Sequence, residues 1–177
     1  MRILQSSKIR MISFLKELEI SLPNLELVLP QVTFTHEFTI LGSKCTARIM
    51  TPGGGHSPCD SFLYIQEDDI IFMADLLFVG MHPSFFNYSN PLQWTNILNE
   101  IMKLPIKNAV PGHGSVGTID DINKLRNYIS VMKSLSRENI NVDEVSIPDE
   151  YRDWITINID PHELFIRNLE TLSKLLT

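Results

Sequence analysis

Three short stretches carry residues able to bind a metal ion: Gly53-Gly54-Gly55-His56-Ser57, Ala74-Asp75-Leu76 and Pro111-Gly112-His113-Gly114. A neutral imidazole and a carboxylate oxygen both suit zinc, at roughly 2.0–2.2 Å from the metal. The glycines before His56 let the backbone take positive φ and aim the ring inward from a tight turn. Asp75 follows the hydrophobic run Ile70–Met73, at a strand exit where a carboxylate can face a cleft. His113 sits on a turn after a short strand. Taken singly, each has an ordinary structural reading, a histidine filling a glycine turn or an aspartate ending a strand. Their order and intervals, 19 residues from His56 to Asp75 and 38 from Asp75 to His113, make one shared site the sharper expectation. The five histidines, at 36, 56, 82, 113 and 162, never fall two residues apart, so no His-x-His-x-Asp-His cluster accompanies them.

The elements that would position these residues follow from periodicity. Ile9, Ile12, Leu15 and Leu18 predict an amphipathic helix over residues 1–19. Val32–Ile40 and Cys45–Met50, joined by Leu41-Gly42-Ser43-Lys44, predict an antiparallel strand pair. Ser61–Gln66 and Asp69–Met73 predict a second pair around Glu67-Asp68. Pro91 opens a helix expected over 92–104, and Lys107–Val110 is a short strand running into the Pro111 turn. Thr118, with Asp121 three residues on, caps a helix expected to reach about Glu138, and Pro161 opens a final helix over 162–176. Strand pairs followed by amphipathic helices predict a single α/β domain with a largely antiparallel or mixed sheet.

Composition narrows the partners. A chain of 177 residues with 44% hydrophobic and 20% charged residues is long enough for one substantial core. Its net charge of −6 and scattered basic residues argue against nucleic acid, and Lys124, Arg126, Lys133 and Arg137 read as the wet face of a helix. Cys45 and Cys59 are expected to be free thiols in a soluble, cytoplasmic protein. Charges at Arg10, Lys16, Glu17 and Glu19 break up the first apolar run, which is expected to be neither signal peptide nor membrane span. His82 reads as a loop residue, His36 as a sheet-face residue and His162 as surface. Trp94 and Trp154 read as packing anchors, and Ser57 lies in no Gly-x-Ser-x-Gly elbow.

From Val32 to Ser115 the chain resembles the C-terminal portion of metallo-β-lactamase-fold hydrolases, the superfamily of glyoxalase II-like thioesterases, lactonases and β-lactamases. The Pro148–Trp154 stretch and the final helix resemble one bacterial branch. The resemblance implies a partial αββα sandwich in which His56 is a ligand of the first zinc, Asp75 bridges two zincs and His113 binds the second. It also implies a bridging hydroxide attacking an ester, thioester, lactone or similar carbonyl of a small-molecule substrate. The chain departs from the pattern at Ala74, where glycine is usual, and at Cys59, which also commonly is glycine. The larger departure is the absent His-x-His-x-Asp-His, whose expected place lies near or before Met1.

Without that motif each metal keeps two protein ligands, where zinc sites take three or four. The expectation is weak zinc binding and no efficient hydrolysis by this chain alone, an enzyme lacking its N-terminal metal-binding half. The other reading is a non-catalytic derivative acting as a binding or interaction domain. On either reading, one face of the sheet should be apolar and uncovered, which favours self-association.

Overall fold

The computed structural model describes residues 2–137 and 145–176, with side chains from Ile12 onward. Five strands form one sheet in chain order: β1 (Glu37–Leu41), β2 (Thr46–Gly53), β3 (Asp60–Ile65), β4 (Ile70–Phe78) and β5 (Asn108–His113). The first four meander antiparallel, and β5 returns parallel to β4 after a helical crossover. A parallel neighbour needs such a crossover, and α2 (Pro91–Ile101) provides it. α3 (Ile119–Leu135) and α4 (Pro161–Leu175) follow, while α1 (Arg2–Ser21) precedes the sheet.

Helix starts obey local chemistry. Asn90 accepts from the Gln93 amide ahead of Pro91, and Thr118 with Asp121 forms a complete capping box. Asp160 accepts from the amides of His162 and Glu163. The expected end of the third helix at Glu138 falls outside the described residues, and the described helix closes at Leu135.

Register separates the two faces of the sheet. Arg48, Tyr64, Ile71 and Ala109 align across β2 to β5, and the last three are buried. On that inner face α2, α3 and α4 set Leu98, Ile101, Ile122, Leu125, Ile129, Phe165 and Leu172 into one continuous core. The alternate row, Phe38–Ile49–Leu63–Phe72–Val110, crosses all five strands. It is apolar throughout, yet Phe38 is 38% exposed and Phe72 43% exposed. α1 does not cover it: every described side chain from Ile12 to Ser21 is exposed, as are Leu25, Leu27, Val28 and Leu29 beyond it.

Two strand boundaries differ from the sequence reading. β1 starts at Glu37, so Val32–Thr35 lies outside the sheet, its β-branched and aromatic residues in no strand ladder, and His36 joins β2 only through its carbonyl, which accepts from the Thr51 amide at 2.9 Å. β4 runs on to Phe78, so Asp75 lies inside a strand and not at its exit. Irregular register on either side of Ala74, together with the positive φ of Ala74 (45°), is what turns Asp75 out of the ladder.

Candidate functional site

The crossover from β4 to β5 brings the ends of three segments together. Asp75 stands between the two imidazoles: Oδ2 lies 3.9 Å from His56 Nδ1, and Oδ1 lies 3.4 Å from His113 Nε2. Gly112 makes this possible. A β-carbon there would lie 2.3 Å from Asp75 Oδ1 and 2.7 Å from the Ala74 carbonyl carbon, so a larger residue would expel the carboxylate. Two of the three donors are open: the side chains of Asp75 and His113 are 45% and 36% exposed, against 11% for His56.

His56 is the best-held of the three. Gly53 leaves β2 at φ 96°, and the following turn is gathered onto the Asp60 carboxylate. That carboxylate accepts from the Gly55 amide at 2.7 Å, the Ser57 amide at 3.1 Å and the Ser57 hydroxyl at 2.6 Å. From the other side, the Ser89 hydroxyl donates to the His56 carbonyl at 2.7 Å and the Asn90 amide to the Gly55 carbonyl at 2.8 Å. The ring sits among Trp94, Phe86 and Phe78, with centroids 5.3, 5.5 and 5.7 Å away. Burial there pulls the His56 pKa below its ordinary value, against the opposing pull of Asp75 and Asp60. A neutral imidazole is the form that binds metal, so the aromatic cage keeps His56 competent as a donor. His113 stacks on Phe78 at 5.0 Å.

Asp60, Ser89 and Asn90 went unread in the sequence, although Ser57-x-x-Asp60 has the spacing of a local side-chain clamp. Trp94 is a packing anchor, wholly buried, and it also forms a wall of the His56 cage. Cys59 is exposed, with Sγ 3.6 Å from Thr51 Oγ1. His36 is exposed outside the strands, and His162 is exposed with Nε2 2.9 Å from the Val145 carbonyl oxygen. An apolar cavity of about 310 Å³ lies between β2, β3 and α2, lined by Met50, Phe62, Ile97 and Ile101 among others, and none of the three donors faces it.

His82 differs from its reading as a loop residue. It is 3% exposed, with Nδ1 3.0 Å from the Tyr128 hydroxyl and the ring against the Tyr151 backbone. Burial lowers its pKa from 6.5 to about 4. The unfolded chain therefore takes up this proton first as pH falls, so stability is intact above pH 6.5 and declines from 6.5 toward 4. Denaturant unfolding should show a loss of about 2 kcal/mol between pH 8 and pH 5, largely removed in His82→Gln. An equal loss in that variant would assign it to other groups.

Among the described residues no group of three His, Cys, Asp or Glu side chains is arranged to hold one metal ion. The donors instead form a row, imidazole–carboxylate–imidazole, with one carboxylate oxygen toward each ring. Such a row fits the shared part of a two-metal site and completes neither position, since zinc takes three or four ligands.

The mixed sheet carries helices on its inner face, and the row His56–Asp75–His113 lies where the β2–β3 turn, β4 and the end of β5 meet. A model of the metallo-beta-lactamase superfamily matches residues 6–113, and the chain belongs to that superfamily. Among solved structures it is similar to a metallo-beta-lactamase from Pontibacter korlensis, at 21% identity and a TM-score of 0.53, over 63% of this chain and 53% of that one. It is also similar to the inverting sec-alkylsulfatase Pisa1 from Pseudomonas sp., at 12% identity and a TM-score of 0.61, over 84% of this chain and 27% of that one. At these identities the likeness shows the fold. The chain spans about half the length of the lactamases it matches, 53% for Pontibacter korlensis and for TMB-1. No curated protein matches it.

Proposed function

We propose that this chain carries one half of a zinc-dependent hydrolase site for an ester, thioester, lactone or similar carbonyl substrate, and that it is not an efficient hydrolase by itself. The observation that carries this reading is Asp75, with one oxygen 3.4 Å from His113 and the other 3.9 Å from His56. In this reading Asp75 is the shared ligand, and each imidazole is the second donor of its own metal position. The remaining donors come from a polypeptide segment bearing His-x-His-x-Asp-His, absent from these 177 residues. When bound, such a metal pair activates water and polarises a carbonyl oxygen. This chain's own part is to hold a neutral His56 in its aromatic cage and to seat Asp75 against Gly112. With a net charge of −6, its partners are a small-molecule substrate and protein, not nucleic acid. No described helix is long and apolar enough to cross a membrane. A cytoplasmic location would keep Cys45 and Cys59 reduced.

A second reading, a non-catalytic binding domain, is favoured by the apolar outer row, where Phe72 is 43% exposed. Calorimetric zinc titration separates the two. A half site binds weakly, loses affinity as pH falls and protonates the imidazoles, and loses the second position in His113→Ala. A binding domain shows no change in heat on that substitution.

A further inference from the structure

The segment between β4 and α2, residues 79–90, is fastened at both ends. Near its start, the His82 amide donates to the Ile155 carbonyl at 3.0 Å, and the Ile155 amide donates to Gly80 at 3.1 Å. Then α4 takes over. Asn168, wholly buried, donates through Nδ2 to the Pro83 carbonyl at 2.7 Å and accepts at Oδ1 from the Phe85 amide at 3.0 Å. The next residue, Phe86, packs its ring on His56, and its amide donates to Ser89 Oγ at 3.0 Å. Ser89 Oγ donates in turn to the His56 carbonyl, and the Asn90 amide reaches Gly55. A continuous path of hydrogen bonds and short backbone steps therefore runs from the last helix to the His56 turn.

We infer that Asn168 is a positioning residue for His56, acting through the 79–90 strap. The family match ends at residue 113, so this assigns a role in the site to a helix that lies outside it. An asparagine suits the task because its amide has a donor and an acceptor at one end of a short, stiff side chain, and satisfies a carbonyl and an amide two residues apart. Asn168 gives Oδ1 and an Nδ2 hydrogen to the strap, 83 and 85 positions away in sequence, and its amide also bonds the Tyr128 side chain on α3. The consequence for metal rests on the half-site reading above, whereas the strap itself does not.

Amide hydrogen exchange on the full chain tests it. In Asn168→Ala the Asn90 and Ser89 amides should exchange roughly tenfold faster or more, while the β3 and β4 amides change far less. Asn168→Leu, which fills nearly the same buried volume without either bond, should give the same selective change and covers the case in which the alanine cavity prevents folding. Leu172→Ala, also on α4 and buried, should speed exchange at strap and strands in proportion. Unchanged Asn90 exchange in the Asn168 variants, or a change only in proportion to the strands, overturns the proposal. Zinc titrated in parallel should bind several-fold more weakly to Asn168→Ala than to the parent chain. Absence of zinc binding by the parent would count against the half-site reading alone, and the exchange result would still decide the strap.

Discussion

Co-expressed with a segment bearing His-x-His-x-Asp-His, the chain should gain esterase or lactonase activity that neither part has alone. The expected gain is at least about a thousandfold over the sum of the separate parts, because a metal pair with full ligation lowers the pKa of bound water toward 7. His56, Asp75 and His113 already lie together, so on the half-site reading the added segment has to complete a site and not create one. Asp75→Ala should erase the gain while leaving the complex assembled, since it removes the only oxygen donor of the row and cuts nothing on the outer sheet face. Activity that survives Asp75→Ala would place the chemistry elsewhere.

Purified without such a segment, the chain should self-associate. Apolar side chains are exposed on its outer row, Phe38 at 38% and Phe72 at 43%, and along the stretch from Ile12 to Leu29. Contiguous apolar exposure beyond a few hundred Å² marks an association surface. Light scattering after size exclusion should give a mass of a dimer or larger at micromolar concentration. Phe72→Lys puts a charge at the more exposed of the two phenylalanines of that row and should weaken association at least tenfold, with helical content unchanged. A monodisperse monomer in the parent chain would favour an independently evolved binding domain.

The meeting of His56, Asp75 and His113 was legible in the sequence because glycine-flanked histidines and a strand-borne aspartate announce themselves by type and spacing. The strand pairs were legible too, through alternation around Leu41–Lys44 and Glu67-Asp68. What escaped was set by tertiary contacts. Val32–Phe34 has strand chemistry but no partner strand, so propensity alone overstated β1. His82 gave no local sign of burial, because the aromatic residues that enclose it, Tyr128 and Trp154, lie far along the chain. Asn168 looked like one polar residue on an amphipathic helix, yet it bonds a strap more than 80 residues earlier. Asp60 had a nearer clue in its spacing from Ser57, since its partners are local.

The stoichiometry and affinity of zinc on the isolated chain test the half-site most directly. On the half-site reading Asp75 is shared with one imidazole on either side, which gives each position two protein donors, below the three or four that a stable zinc site uses. Calorimetry at neutral pH should therefore show weak binding that His113→Ala reduces further. Tight, stoichiometric binding of two zinc ions by the chain alone would contradict it, because the residues gathered around Asp75 would then be a whole site.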